Sequence, residues 1–242
     1  MFINNKTLDV FWCPYWSYRE DDWNILYNDL ENLYSDLEKN KNKLVDKKNN
    51  LFLCPVVRNF TKNTFVIKNP IKSHIEIVDN KIIYKSINYI DSKIARPPSL
   101  DNNILVNYGI SYIFFCEENL NMALTSPFFS NSQHLKYGSI VPGKFDISSW
   151  FRNINFEYNL WNNEKTLIIE KDEDIAYVNF ETEKNVNLIR FNLSDKLNKY
   201  AASCGTSTRW ETFVPLIDRY KRFLKSRTNK LVLKEIKKNL VK

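Results

Sequence analysis

The sequence predicts an α+β chain, an antiparallel β-sandwich or rolled sheet with N-terminal and C-terminal helices. Three observations predict it. Between residues 51 and 193, runs of alternating apolar and polar residues are separated by short polar turns. Before residue 40 and after residue 208, apolar residues instead recur at helical spacing. There are only four glycines, and neither GxGxxG nor GxxxxGK[ST] occurs, which argues against nucleotide-binding parallel sheets. No repeat and no strong boundary divides the chain, so residues 1–242 are read as one α+β domain.

The elements follow in order. TLDVFW (7–12) reads as a short strand, and CPYW turns the chain at Pro14. Ser17 and Glu20 have capping-box spacing. Trp23, Leu26, Tyr27, Leu30, Tyr34 and Leu37 then predict an amphipathic helix over about 17–40, with a strand at WNILY and a helix from Asp29 as the rival reading. EKNKNKLVDKKNN, centred on 39–50, reads as a charged loop. The sheet core spans 51–193. TFVIKN and SHIEIVDNKIIYKS predict a hairpin with Asp79-Asn80 as its turn. ARPPSL (95–100) is a stiff linker, and ILVNYGISYIFFCEE a strand region apolar on both faces. Residues 119–143 read as a long loop. INFEYNLW, KTLIIE, IAYVNFE and VNLIRFNL then predict a four-stranded antiparallel meander. Residues 208–241 read as helical. One stripe runs Leu216, Tyr220, Phe223 and Leu224, and another runs Val232, Leu233, Ile236 and Leu240.

Charge is concentrated. From Arg219 to Lys242 there are ten Lys or Arg and one acid, whereas the net charge of the whole chain is +7. The remainder is close to neutral, so a basic footprint is confined to the terminal helices. The four cysteines, Cys13, Cys54, Cys116 and Cys204, are scattered without a CxxC. This predicts reduced thiols and no zinc site. No apolar run reaches the roughly 18 residues of a spanning helix, and MFINNKTLDV has no signal-like apolar core. A soluble protein that contacts no membrane is expected.

Several constellations bear on chemistry. His74 and Glu76 share one strand face; with His134 they form the possible two-His-one-carboxylate set, against the simpler reading of structurally satisfied histidines. Cys204 sits among small residues and would be activated if the segment after it opened a helix, yet an inert cysteine is the simpler reading. Glu117-Glu118, Asp172-Glu173-Asp174 and Asp146 with Glu157 are candidate acid pairs, and the KDED run fits a solvated turn. In GKFDISSWFRNINFEYNLW, Asp146, Trp150, Arg152 and Glu157 are the ligand-binding candidates. Arg152 beside two aromatics can clamp a carboxylate or phosphate, or stack on a ring. The favoured alternative is a structural Arg152–Asp146 pair. Lys230, Lys234, Lys237 and Lys238 lie largely opposite the last apolar stripe. They are solvated, partner-binding or phosphate-binding. No cofactor is expected.

FWCPYW with EDDWNILY, GKFDISSWFRNINFEYNLW and KTLIIEKDEDIAYVNFETEKNVNLIRF together resemble a group of uncharacterised proteins encoded by tailed phages of marine bacteria. IDRYKRFLKS and EIKKNL fit the same group. The resemblance covers about two thirds of the chain and implies a virus-encoded protein in a bacterial host cytoplasm; it transfers no catalytic residue. FDISSWFRNINFEYNLWNNEKTLIIEKDEDIAYVNF is more weakly similar to the β-clip region of dUTPases and dCTP deaminases, with Asp146, Arg152 and the IAYV strand in matching order. Trp150-Phe151 stands where that family has Tyr, Asn153 replaces its Gly, KDED replaces its turn, and its Gly-rich phosphate arm is missing. Those departures would remove nucleotide hydrolysis. The expected function is a virus-encoded binding or interaction protein, with a phage or host protein as partner. The alternatives are a pocket near Arg152 for an anionic, nucleotide-like small molecule, or nucleic-acid binding through the basic terminal helix.

Overall fold

The computed structural model describes residues 7–15, 26–40, 54–79, 81–85, 89–91, 104–161, 164–204 and 214–241. It is a mixed α+β structure with three sheets and, among the described residues, five α-helices. Numbering strands in chain order, the first sheet runs β14 (Asn185–Arg190), β1 (Thr7–Tyr15), β7 (Ile104–Cys116), β11 (Asn153–Leu160) and β9 (Gly138–Ile140). The second runs β10 (Gly143–Asp146), β8 (Asn121–Thr125), β13 (Asp174–Phe180), β3 (Thr64–Lys68) and β2 (Glu31–Asn32). The third runs β12 (Thr166–Ile169), β4 (Ser73–Val78), β5 (Lys81–Tyr84) and β6 (Tyr89–Asp91). All pairings are antiparallel except β1 with β14, which is parallel and matches Thr7 to Asn185 and Trp12 to Arg190.

Period-two alternation sets the layers. Val10 and Trp12 of β1, with Tyr112 and Phe114 of β7, join Phe65, Val178 and Phe180 of the second sheet and Ile75 and Leu167 of the third in one apolar cluster. The intervening residues Phe11, Cys13, Ile113 and Phe115 face the other way. They are covered by α3 (Asp195–Cys204), α4 (Leu216–Lys225) and α5 (Thr228–Ile236) through Leu197, Phe223, Val232 and Ile236. On the second sheet, Val66 and Tyr177 point away from the main cluster and meet Leu33 of α1 (Leu33–Asn40), with Phe60 of α2 (Pro55–Lys62) beside them. Gly138 is required where β9 meets β11, because a Cβ there would lie 2.1 Å from the Asn159 carbonyl oxygen.

The four strands expected between 154 and 193 form, but not as a meander. β11 joins the first sheet, β12 the third, β13 the second, and β14 returns to the first beside β1. Alternation specifies which side chains are hidden, not which strand lies alongside, and each connection carries the chain across to another sheet. The 119–143 segment is not a loop: it holds β8, a 3₁₀ turn at Gln133–Lys136, β9 and the start of β10. Met122 and Leu124 bury on alternate positions of β8. The hairpin at Asp79 is present as β4 and β5, with Val78 opposite Lys81 and Asp79 at φ 49°, while TFVIK belongs to the second sheet as β3. The 13-residue β7 is buried at every position from Ile110 to Cys116, Ser111 included, while its first six residues alternate between buried and more exposed.

The predicted 17–40 helix is corrected over its described part. Residues 27–30 are not helical, 31–32 form β2, and the helix begins at Leu33. Tyr27 packs edge-on against Tyr112 at 5.6 Å, and its carbonyl accepts a bond from Arg190 at 2.8 Å. Those tertiary contacts override the helical spacing of Leu26, Tyr27 and Leu30. Residues 17–25, most of the charged loop and the 95–100 linker lie outside the described residues. Pro14 does not turn the chain but continues β1 opposite Tyr112, beyond the last β14 pairing at Trp12, where no partner on that side needs its missing N–H. The region after residue 51 opens with α2 before its first strand, and the C-terminal helical part begins at Asp195, ahead of the expected 208. Beyond α5, Leu240 bridges Phe191 antiparallel, and the Val241 N–H donates to the Arg190 carbonyl at 3.0 Å. The C-terminal residues therefore occupy the outer edge of β14.

Candidate functional site

The opening aromatic stretch separates its charged residues. Asp146, at the end of β10, accepts from the Ser148 N–H at 3.0 Å, the Ser148 hydroxyl at 2.5 Å, the Ser149 N–H at 3.2 Å and the Ser149 hydroxyl. Burial pushes this carboxyl up, but those four bonds outweigh it and hold the group below its ordinary value. Asp146 is thus a turn-former, and among the described residues no ion pair joins it to Arg152. Glu157 lies further along β11, opposite Asn107. Arg152 turns to the helical layer. Its Cζ lies 5.1 Å from the Trp150 ring centre, and Trp150 meets Tyr220 of α4 edge-on at 5.0 Å. Phe145 stacks on the same indole at 5.8 Å. The Arg152 side chain lies within hydrogen-bond reach of the Tyr220 oxygen and its charge opposes the upward push of burial on that phenol, while the Arg152 Nε and the Tyr220 hydroxyl are buried with no other partner among the described residues. Sequence reasoning placed Tyr220 in an apolar stripe; nothing in its spacing signalled that it would meet Arg152.

The two histidines do not converge with an acid. His74 and Glu76 lie 3.1 Å apart on β4, and Glu76 also pairs with Lys85 at 3.1 Å. His134 is fully buried in the 3₁₀ turn, with Nδ1 3.0 Å from Glu173 Oε1. No group of three or more His, Cys, Asp or Glu is placed to hold a metal among the described residues. Glu173 also accepts the His134 N–H at 3.2 Å and the Glu170 N–H at 2.8 Å, and Tyr158 donates to the His134 or Gly138 carbonyl. Asn69 completes this buried polar network. Its amide donates to the Ile169 and Glu170 carbonyls, both at 3.0 Å, and its Oδ1 accepts from Tyr108 at 2.7 Å. The acidic run that looked like a solvated turn is therefore divided. Asp172 accepts from Asn28, Glu173 holds His134, and Asp174 lies 3.7 Å from Lys68.

Burial lowers the affinity of His134 for a proton, and the Glu173 carboxylate only partly offsets that. Glu173 itself is pushed up by burial, but its bonds from Glu170 and His134 bring it below the ordinary carboxylate value. A folded-state pKa below the unfolded one means that the unfolded chain takes the proton first. Stability is thus full above about pH 6.5 and falls as the pH drops below it, with the Glu173 contribution following below about pH 4.5. Urea midpoints at pH 7.5, 6.5 and 5.5 are expected to decline in that order, and the His134 ring signal in NMR is expected to titrate below a free histidine. Equal midpoints at pH 7.5 and 5.5 refute this.

Cys204 ends α3, and the segment after it, on which its activation was conditioned, lies outside the described residues; burial pushes its thiol up, and bonds near Phe151 and Ser203 and the charge of Arg152 oppose this only in part. It has the character of a packing residue. Glu117 and Glu118 are exposed after β7, and Glu118 pairs with Lys184.

A cleft of about 320 Å³ opens between residues 28–31, β3, Pro70 and Asp172, over Tyr112. Its charges are mutually satisfied. Lys68 lies 2.7 Å from Asp36, Asp29 is 3.3 Å from Arg190, and Glu31 pairs with Lys39.

The helical layer differs. Its inner side is buried through Phe223, Val232, Leu233 and Ile236. Its outer side exposes Ile217 (58 %), Leu224 and Leu231 (51 %) among Lys225, Lys230, Lys234 and Lys237, all exposed. Of its acids, Asp218 pairs with Lys221, and Glu235 is shared by Lys196 and Lys238. Among the described residues, five of the ten exposed large hydrophobic side chains lie on this segment, including Leu240 and Val241. No helix among the described residues is long and apolar enough to cross a membrane. No protein-family model matches the chain, and no curated protein or solved structure shows significant similarity to it.

Proposed function

We propose that the chain is a virus-encoded binding protein, its sheets forming a sandwich-like scaffold whose C-terminal helices engage an acidic protein partner of the phage or its host. The resemblance to tailed-phage proteins supports the viral and host-cytoplasmic part of this reading. The observation that carries the rest is the outer side of α4 and α5, where half-exposed Ile217, Leu224 and Leu231 lie among exposed lysines that make no ion pair with the described residues. Large aliphatic side chains in water cost free energy unless a partner covers them, and neighbouring cations select a partner rich in Asp and Glu. The nucleic-acid reading accounts for the lysines but not for the aliphatic residues, because phosphate neutralisation rewards charge alone.

The probe is a synthetic amphipathic helix with Leu on one side and Glu on the other. Saturable binding is expected. The double variant Ile217→Ser with Leu231→Ser should weaken it about tenfold or more, since each burial is worth roughly 1–2 kcal/mol at these exposures. Raising salt from low to high should weaken it by less. If a 30-base-pair DNA duplex binds instead, with steep salt dependence and indifference to Ile217 and Leu231, the nucleic-acid reading replaces this one. If neither probe binds, the proposal fails.

A further inference from the structure

Arg152 and Tyr220 meet within hydrogen-bond reach of each other, the guanidinium towards the phenol oxygen, and among the described residues the Arg152 Nε–H and the Tyr220 O–H are left as buried donors without an acceptor. The Arg152 Nε–H arrives from the loop between β10 and β11, and the Tyr220 O–H arrives from α4. The Trp150 ring touches both groups, with the guanidinium over it at 5.1 Å and the Tyr220 ring 5.0 Å away. An unmade hydrogen bond at a buried donor costs about 1–3 kcal/mol, so two converging ones are a standing deficit that one anionic oxygen would remove. The nearest acid in the same stretch, Asp146, has both oxygens engaged by Ser148 and Ser149. The Cys204 thiol is close enough to Arg152 to feel its charge, but it is held protonated by burial and offers no counter-ion.

The position is continuous with the proposed docking side. Ile217, Tyr220 and Leu224 recur at i, i+3 and i+7 along α4 and so share one side of it. Ile217 and Leu224 are exposed, while Tyr220 leans inward onto Trp150. A partner covering the two aliphatic residues would therefore bring its acidic side chains to Arg152.

We infer that Arg152, Tyr220 and Trp150 form a receptor for a single carboxylate, supplied by an Asp or Glu side chain of the partner. The Arg152 Nε–H and the Tyr220 hydroxyl both donate to it, and the indole holds the guanidinium flat and excludes water. The source of the carboxylate rests on the docking reading above; the receptor does not.

The test follows the Arg152 Nε–H resonance in a ¹⁵N-labelled sample, assigned by its loss in Arg152→Lys. Sodium acetate, titrated at constant ionic strength against chloride, is expected to move that resonance saturably, and Tyr220→Phe should weaken the acetate affinity about tenfold. The acidic amphipathic peptide should move the same resonance. Arg152→Lys should weaken peptide binding about tenfold, whereas Lys81→Ala, an exposed cation on the third sheet, should change it less than twofold. If acetate moves the resonance and the peptide does not bind, the receptor stands and the docking reading falls. If the peptide binds, weakens with Ile217→Ser and leaves the Arg152 signal still, docking stands and the receptor falls. An Nε resonance indifferent to acetate also overturns it.

Discussion

Asn69→Ala is expected to lower stability by about 3–4 kcal/mol, a fall of roughly 10 °C in the unfolding midpoint. The residue is fully buried between the second and third sheets. Its backbone N–H donates to the Glu173 carbonyl at 2.9 Å, and its own carbonyl accepts from Asp172 at 2.8 Å. Alanine keeps those two bonds and deletes the three made by the side chain. The Tyr108 hydroxyl then loses its acceptor, and the Ile169 and Glu170 carbonyls lose a donor, in a site closed to water. The cost comes mainly from groups left stranded, not from the bonds removed. Urea denaturation of the variant, with Ser132→Ala as a partly exposed control at the same turn, measures it. A loss below about 1 kcal/mol would show that this network contributes little.

Ile236→Asp is expected to have a larger effect, detaching the helical layer. Ile236 is fully buried against the first sheet, in the cluster that includes Phe11, Cys13 and Cys204. An ionised carboxylate there has no partner, and removing it from water costs several kcal/mol, comparable with a large part of the stability of a domain. The thiols report the outcome. In the native protein Cys54 is exposed and is expected to react quickly with a disulfide reagent, while Cys13, Cys116 and Cys204 are buried. Burial also pushes the Cys116 thiol up to about 11, which keeps it protonated and slow. In Ile236→Asp, Cys13 and Cys204 should become reactive. Cys116 belongs to the other cluster and should remain protected if the layer lifts by itself. Wild-type protection of all three would show that the helices remain seated.

The strands were legible because burial on one face of a sheet imposes alternation on the sequence. Ile154, Phe156, Tyr158 and Leu160 of β11 are all buried, as their spacing requires. Their partners were not legible. Leu167 and Val178 alternate equally well whether their strands adjoin or belong to different sheets, and here they belong to different sheets. The third helix was missed because Leu197, Ala201 and Cys204 make a narrow stripe of small residues, enough to pack on Phe11 and Phe151 but weak as a signal. At the candidate receptor, Arg152 and Trp150 are two residues apart and stood out. Tyr220 enters from a helix far along the chain, and only the packing of α4 on the first sheet brings it there.

The parallel partnership of β1 and β14 also orders events in time. Asp9 and Asn187, hydrogen-bonded across that pair, are 178 residues apart in the chain. During synthesis β1 leaves the ribosome with a hydrophobic side and an open backbone edge, and the strand that closes that edge appears only after the intervening residues have been made. Completion of the first sheet is therefore a late step, slow through its long-range closure, and the edge of β1 stays open until then.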